Sequence, residues 1–123
     1  MILVDTDILI DALNDLEEAK SFLREHREKI HLSPFTVFEL LEGVRNKKEL
    51  HRMRSQIKYE VLPVDQNIIE KATEILESHF LRDGTGMVDA LLAATALRQG
   101  IPLYSRNKKH YKGIKGLRFM VPY

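Results

Sequence analysis

Short apolar runs alternate along the chain with longer segments in which apolar residues recur at helical spacing. Ile2-Leu3-Val4 is the first such run, and it stops at Asp5, which is typical of a buried β-strand. The same reasoning predicts four more short strands, at positions 30–32, 61–62, 102–104 and 118–120. Segments with a helical pattern separate the first four strands.

The segments between the strands predict helices. Leu16, Ala19 and Phe22 form one apolar stripe in an otherwise charged segment, which indicates an amphipathic helix. Ser33 followed by Pro34 combines a cap-type residue with proline in the first turn, and this marks the start of another helix. The predicted helices cover positions 8–13, 16–27, 33–43, 47–57, a segment that Asp65 caps, and 87–98.

Alternating strands and helices predict an α/β protein with a mainly parallel sheet and helices on both faces. The length of 123 residues suits one domain, residues 1–123, with a sheet of about five short strands. In such sheets, ligands bind beyond the carboxyl ends of the strands. The segments Asp5-Thr6-Asp7 and Ser105-Arg106-Asn107 each follow a predicted strand, so we expect functional residues there.

Composition excludes several classes of protein. No apolar run approaches the ~20 residues that cross a bilayer, so we expect no membrane segment. The N-terminal segment lacks the basic region of a signal peptide and is interrupted by two aspartates. The chain has no cysteine, which excludes disulfides and thiolate metal sites and is compatible with the cytoplasm, where we expect the protein.

The charged residues are unevenly distributed. Residues 1–89 contain all 18 acidic residues, whereas the segment after Asp89 contains seven basic residues and no acidic one. A basic segment beside an acidic body can bind a phosphate backbone while the acids bind metal. A solvated basic surface explains the same pattern, so charge alone leaves both interpretations open.

Three carboxylates occur where apolar residues are expected. Asp5 ends an apolar strand, Glu39 lies between Phe38 and Leu40, and Asp89 lies in the apolar segment MVDALLAATAL. Burial of an isolated carboxylate costs several kcal/mol, roughly, so three of them require a compensating partner. A divalent cation such as Mg²⁺ or Mn²⁺ fits this requirement, because it prefers hard oxygen ligands.

Each of these acids also has a purely local explanation. Asp5 or Asp7 can cap the helix predicted to start near position 8. The segment from Thr36 to Glu39 has the spacing of a capping box, which would give Glu39 a structural role. Asp89 falls in the first turn of its helix, where a negative charge is stabilised by the helix dipole. The functional interpretation is favoured because the three acids occur together.

At these residues the sequence resembles a known family, the PIN domain, and within it the VapC-type toxins of toxin–antitoxin pairs. VDTDILID resembles the first motif of the family, and SPFTVFELLEG resembles the second, in which an acid is followed by Leu and then Gly. VDALLAATALRQGIPLYSRN resembles the third and fourth motifs. The resemblance spans almost the whole chain and implies a three-layer α/β/α fold.

The resemblance implies a homodimeric endoribonuclease that requires Mg²⁺ or Mn²⁺. Carried onto this chain, it assigns Asp5 and Asp89 as metal ligands and Glu39 as the residue that completes the acidic cluster. Ser105 matches a hydroxyl that orients the site, and Thr6 matches a hydroxyl beside the first aspartate. The resemblance also implies a small cognate antitoxin whose extended tail covers the acidic site.

The sequence departs from the family pattern after Ser105. Many members carry a further acid there, either two residues later or before an aromatic residue. This chain has Asn107 and His110 at those positions, and Tyr111 is the aromatic residue. The carbonyl of Asn107 can still ligate metal or a metal-bound water, but it adds no charge. Both a one-ion site and a catalytically weak site therefore remain open.

These residues suggest in-line hydrolysis of an RNA phosphodiester. In this hypothesis Asp5 and Asp89 hold the cation and Glu39 orients or deprotonates the attacking water. The basic residues Arg106, Lys108 and Lys109 are expected to bind the RNA backbone. Thr6 and Ser105 are expected to contact the substrate as well, and Asn107 is expected to belong to the catalytic group.

Three alternatives compete with the nuclease hypothesis. An aspartate-nucleophile phosphatase shares the Asp-x-Asp opening but needs acids later in the chain, and none follows Asp89. A phosphoacceptor signalling domain needs an aspartate after a central strand, where only Asp65 is near one and Pro63 intervenes. A PIN-fold protein that binds RNA or a partner without cutting it is the third alternative.

Overall fold

Five short strands form one sheet in which every neighbouring pair is parallel. The structure is a computed structural model that describes all residues from 1 to 123. The strands are β1 (Ile2–Val4), β2 (Ile30–Leu32), β3 (Glu60–Val61), β4 (Leu103–Tyr104) and β5 (Phe119–Met120). Their order across the sheet is β3-β2-β1-β4-β5, which confirms the predicted α/β class and its parallel sheet.

Seven helices connect or flank these strands. They are α1 (Thr6–Leu13), α2 (Glu17–Glu25), α3 (Pro34–Glu42), α4 (Lys47–Gln56), α5 (Gln66–Asp83), α6 (Met87–Gln99) and α7 (Lys108–Tyr111). Six of them were predicted, and α7 was not, because a single helical turn leaves no periodic pattern in the sequence. None of the helices is both long and apolar enough to span a membrane.

Alternation along β1 separates the apolar core into two layers. Leu3 points to one face of the sheet and packs in a cluster with residues of α5 and α6. Ile2 and Val4 point to the opposite face and pack with residues of α1, α2 and α3. Successive side chains of a strand alternate between faces, so this one strand contributes to both cores. The result is the three-layer α/β/α arrangement that the resemblance implied.

Local signals in the sequence fix where the helices begin and end. The Ser33 side chain accepts a hydrogen bond from the Phe35 N–H, and Asp65 accepts one from the Ile68 N–H. The glycines that end α5 and α6, Gly84 and Gly100, adopt left-handed φ angles of 71° and 65°. Glycine adopts this conformation without the steric cost of a Cβ atom, which explains the positions of both helix ends.

The strand order places a topological switch point at the centre of the sheet. From β1 the chain continues outward through β2 and β3 on one side, and it returns to β4 and β5 on the other. Open parallel sheets bind their ligands at such a point, beyond the carboxyl ends of the strands. Asp5 directly follows β1 and Ser105 directly follows β4, so both residues lie where a site is expected.

Candidate active site

Asp5 lies at the centre of a buried hydrogen-bond network. As the N-cap of α1, it accepts a hydrogen bond from the Thr6 N–H on Oδ1, at 2.7 Å. Its Oδ2 accepts from the Ser105 hydroxyl and from the Tyr111 hydroxyl, both at 2.8 Å. Asp5 is therefore both a helix cap and the meeting point of three other segments of the chain. Asp5 can therefore act both as the helix cap and as a functional residue of the site.

Tyr111 connects Asp5 to Asp89. Its hydroxyl lies 2.8 Å from Asp5 Oδ2 and 3.1 Å from Asp89 Oδ1. Tyr111 was expected only as the aromatic residue of a motif and had no predicted role in the site. The hydroxyl that distinguishes tyrosine from phenylalanine was the one available signal. The structure thus brings together the two aspartates that were predicted as metal ligands.

Asp89 is held at the first turn of α6. Its Oδ2 accepts a hydrogen bond from the Gly86 N–H at 2.9 Å, which is half of a capping box. The Nδ1 atom of His110 lies 3.1 Å from the same oxygen. The Asp89 side chain is 16 % exposed, so it faces the opening of the site while Asp5 lies beneath it. His110 was also absent from the predicted site.

Glu39 reaches the site from α3 through Thr6. The Thr6 hydroxyl donates to Glu39 Oε1 at 2.6 Å, which joins two predicted residues. Glu39 is exposed, however, so the expectation that it is buried in an apolar setting was wrong. The capping-box explanation was also wrong, because α3 is capped by Ser33 and Glu39 lies well inside the helix.

Asp7 is a further acid of the site, in a segment where functional residues were expected, although the one role predicted for it was that of a helix cap. Its Oδ2 accepts hydrogen bonds from the Arg106 N–H at 2.8 Å and from the Ser105 hydroxyl at 3.3 Å. Its Oδ1 is buried without a hydrogen-bond partner. Ser105 has one hydroxyl proton and lies between Asp5 and Asp7, so it satisfies only one of them at a time.

The family follows from the sequence as a whole. Residues 2–115 match the family model described as PIN domain. The chain belongs to the PIN domain family. The match confirms the resemblance drawn from the motifs and excludes the phosphatase and phosphoacceptor alternatives, which are different families. It does not distinguish a cutting PIN domain from one that only binds.

Relatives of this PIN domain include proteins named as ribonucleases. Ribonuclease VapC10 of Mycobacterium tuberculosis is 29% identical over 127 residues, and the alignment covers 99% of this chain and 96% of the relative. Ribonuclease VapC1 of Rickettsia felis is 29% identical over 130 residues, with coverage of 97% and 94%. Both relatives therefore align along nearly their whole length.

Solved structures share the fold of this PIN domain. A toxin–antitoxin complex from Klebsiella pneumoniae contains a chain with a TM-score of 0.84 and 27% identity, with coverage of 100% of this chain and 98% of that one. The DNA-bound VapBC2 complex from Rickettsia felis gives a TM-score of 0.78 at 23% identity, with coverage of 98% of both chains. At 23% identity, the similarity to VapBC2 shows that the two chains share a fold.

Asp5, Asp7 and Asp89 of the PIN domain have no lysine or arginine side chain to compensate their charge. Burial and the nearby charge of Asp7 together raise the pKa of Asp5 to about 6, against the hydrogen bonds that lower it. Burial likewise raises the pKa of Asp7. No lysine or arginine side chain forms a salt bridge with Asp5, Asp7 or Asp89. The site therefore favours a proton or a cation.

The donor set of the PIN domain fits a hard divalent cation. Asp5 and Asp89 supply carboxylate oxygens on either side of one hydroxyl, and the unpaired Asp7 Oδ1 lies in the same network. No group of three or more acidic or histidine side chains encloses a single point. Mg²⁺ is usually bound by one or two carboxylates together with water and substrate phosphates. A cage of protein ligands is thus not required.

Within the basic segment beside the site, Arg106 is engaged in contacts with other residues, whereas Lys108 and Lys109 form no salt bridge. Arg106 pairs with Asp11 at 2.8 Å, and its guanidinium lies 5.1 Å from the centre of the Tyr123 ring. Lys108 and Lys109 are exposed. Asn107 is exposed as well, and its contact with the site is a backbone N–H bond to the Ser105 hydroxyl at 3.0 Å. The Asn107 side chain makes no hydrogen bond to the acids.

Proposed function

We propose that this PIN domain is an Mg²⁺- or Mn²⁺-dependent endoribonuclease and the toxin of a toxin–antitoxin pair. The observation that carries the proposal is the pair Asp5 and Asp89, joined through one buried hydroxyl at the carboxyl end of the central strand. The ribonuclease names of relatives that align over nearly the whole chain support the same conclusion.

The residues of the site have distinct roles in the proposed in-line hydrolysis of a phosphodiester. Asp5 and Asp89 would hold the cation, which lowers the pKa of a bound water and offsets charge on the phosphate. Glu39 accepts the Thr6 hydroxyl on Oε1, so its exposed Oε2 is free to accept a proton from the attacking water. Ser105 donates to Asp5 and thereby orients its carboxylate.

The RNA backbone is expected to lie along the basic segment. Lys108 and Lys109 are exposed beside Ser105 and carry no salt bridge, so their charges are available to phosphates. Arg106 is already paired with Asp11, and we assign it a secondary part in binding. Asn107 can contribute its amide to a water at the site, since no side-chain hydrogen bond restrains it.

One observation favours a second candidate function, a PIN domain that binds RNA without cutting it. No acid follows Asp89 in the sequence, and no three ligands enclose one point. In this alternative the acidic cluster would contribute to partner binding alone. The two candidates differ in whether RNA is consumed, so one experiment separates them.

The test is cleavage of a mixed pool of structured RNAs by the purified protein in Mn²⁺, in Mg²⁺ and in EDTA. We expect cutting in at least one of the metals and none in EDTA. Cutting that is equal in EDTA would contradict the metal-dependent mechanism. RNA that is bound but never cut, under all three conditions, would favour the binding function instead.

We further propose that a small antitoxin binds the grooves beside the acidic site. One groove of about 340 Å³ is formed by α1, α2, α3 and α4, and a contiguous groove of about 360 Å³ reaches Glu39. Leu13, Leu40 and Met53 line both grooves, so they form a continuous apolar path. An extended apolar segment in this path would end at the acids. The toxin–antitoxin complex from Klebsiella pneumoniae supports a partner of this kind.

Co-expression of this chain with each small protein that its own operon encodes tests for such a partner. We expect a stable complex with the parent and a much weaker one with Met53→Asp. Leu50→Asp on the same helix is the control, because Leu50 is exposed and does not line the grooves. Failure of the parent to form a complex would contradict the proposal.

We also propose that the protein is a homodimer. Phe80, Leu81 and Met87 lie at the junction of α5 and α6 and are 55 %, 95 % and 65 % exposed. Large apolar side chains clustered at the surface indicate an interaction face. Light scattering should give a dimer for the parent and a monomer for Leu81→Lys, with Met120→Lys as the control, because Met120 is an exposed apolar residue on β5, away from this junction. A monomeric parent would contradict this assignment.

A further inference from the structure

Tyr111 occupies a position that the proposed chemistry does not by itself explain. Its side chain is only 1 % exposed, yet its hydroxyl reaches both carboxylates that we assign to the cation. It therefore approaches Asp5 and Asp89 from the interior of the protein. The Asp89 side chain is 16 % exposed, so it can also be reached from solvent.

Contacts outside the site fix the position of the hydroxyl. The Tyr111 ring stacks on Phe119, with 5.4 Å between ring centres and 22° between ring planes. The backbone beside it is held by the buried hydroxyl of Thr85, which donates to the carbonyl of His110 at 2.6 Å. The hydroxyl is thus placed by the sheet and by the α5–α6 connection, independently of the two aspartates.

The hydrogen-bond pattern leaves lone pairs available for a cation. Asp5 Oδ1 accepts one hydrogen bond, from the Thr6 N–H, and Asp89 Oδ1 has only the Tyr111 hydroxyl within reach, at 3.1 Å. That hydroxyl has one proton, so it donates to Asp5 or to Asp89 at any one time. Each carboxylate oxygen has two acceptor positions. A donor that contacts a ligand from behind orients it without removing its remaining acceptor position.

We propose that Tyr111 is a positioning residue that sets the spacing and orientation of the Asp5 and Asp89 carboxylates for one divalent cation. Tyr111 is a neutral residue, and it lies in the part of the chain after Asp89, which contains no acidic residue. The inference rests on the proposed metal-dependent function and adds to it how a site with two carboxylates is organised. Tyr111 touches the ligands and not the substrate.

The test is the dissociation constant of Mn²⁺ for Tyr111→Phe, measured by electron paramagnetic resonance on the purified protein. Loss of an outer donor to a metal ligand weakens metal binding by about 10- to 100-fold, and we expect a loss in this range. Tyr104→Phe is the matched control, because Tyr104 lies on the neighbouring strand and packs on Phe22 away from the acids. It should bind Mn²⁺ like the parent.

The same titration separates positioning from a defect in folding. A positioning role predicts one site per chain with weaker affinity, whereas partial unfolding lowers the number of sites and leaves their affinity unchanged. Phe119→Leu keeps the hydroxyl but removes the stacked ring, and it should weaken Mn²⁺ binding in the same direction by a smaller factor.

Two outcomes would overturn the inference, and they differ in what else they overturn. Equal Mn²⁺ affinity of the parent and Tyr111→Phe would remove the positioning role and leave the proposed function intact. Absence of Mn²⁺ binding by the parent itself would remove both. Weaker binding by Tyr111→Phe than by the parent and by Tyr104→Phe, at unchanged stoichiometry, is the result that supports the inference.

Discussion

At the scale of single residues, the site is an arrangement of acids that lack positive partners. Asp5 is 5 % exposed and shares its network with Asp7 and Asp89. Its hydrogen bonds from Thr6, Ser105 and Tyr111 lower its pKa, but burial and the charge of Asp7 outweigh them. In the absence of metal, the folded protein therefore binds a proton more tightly than the unfolded chain does.

The tighter proton binding of the folded state predicts how the stability of the metal-free protein depends on pH. The pKa of Asp5 is about 6 in the folded state, against an ordinary value of 3.8. The stabilisation by proton binding is complete below the ordinary value and is lost as pH rises through about 6. In EDTA, the free energy of unfolding should therefore fall between pH 4 and pH 7, by at most about 3 kcal/mol from this group.

Urea unfolding of Asp5→Asn at the two pH values checks this prediction. The variant has no carboxyl group to titrate, so its stability should change less between pH 4 and pH 7 than that of the parent. Asp65→Asn is the control, since it keeps a capping residue on α5 and should follow the parent. A parent whose stability is the same at both pH values would contradict the raised pKa.

Residue identities could be predicted from the sequence where a carboxylate or hydroxyl follows a strand. Asp5 and Ser105 were found in this way, and they are hydrogen-bonded although 100 positions separate them. The burial of Glu39 was predicted wrongly, because Thr36, Val37 and Leu40 form the buried stripe of α3 and Glu39 lies off that stripe. Tyr111 gave no local signal, because its contact with Asp5 depends on the tertiary fold.

At the scale of elements, one helical turn completes the site. α7 supplies Tyr111 and His110, and it is connected to the start of α6 through the Thr85 hydroxyl. The alternating pattern of the sequence predicted six helices and all five strands, and their ends agree within two residues except at the end of α5. The predicted helix was followed to Phe80, whereas α5 continues to Asp83. The pattern could not predict α7, whose position depends on contacts with distant residues.

Replacement of Thr85 by valine should loosen α7. Thr85 is fully buried, and the valine leaves the His110 carbonyl without its donor at nearly unchanged volume. An unsatisfied buried polar group costs about 1–3 kcal/mol, and the free energy of unfolding should fall by this amount in a urea titration.

Thr95→Val is the matched control for this prediction. Thr95 is equally buried, but its hydroxyl donates to the Leu91 carbonyl inside α6, which lies within the helix's own hydrogen-bond ladder. Its loss of stability should be the smaller of the two. A larger loss in Thr95→Val would show that the Thr85 bond does not hold α7.

At the scale of the whole molecule, charge is separated along the chain but partly paired in space. The acidic body and the basic end were evident from the sequence. The sequence could not show that Arg106 is paired with Asp11 and packed on Tyr123, because the partners are distant in sequence. RNA binding is therefore expected to depend more on the exposed lysines than on Arg106.

Reversal of charge at Lys108 and Lys109 should weaken RNA binding across sequences. Contacts to phosphates release counterions, so the double change to glutamate should also reduce the salt dependence of the affinity by about two phosphate contacts. Filter binding at several salt concentrations in EDTA measures both effects without cleavage.

Lys29 and Lys58 provide the matched control for this charge reversal. Both are exposed, and they precede β2 and β3, so they lie at the edge of the sheet opposite the acids. The same double change there should leave the salt dependence near that of the parent. Equal losses from the two pairs would contradict a binding surface beside the site.

The central claim is that the acids at the carboxyl end of β1 cut RNA. Single-turnover cleavage in saturating Mn²⁺ by Asp89→Asn, beside Asp65→Asn, tests it most directly. The same chemical change removes a proposed metal ligand in one variant and a helix cap remote from the acids in the other. We expect a loss of about 100-fold or more for Asp89→Asn, and a rate near that of the parent for Asp65→Asn. Undiminished cleavage by a folded Asp89→Asn protein would contradict the account.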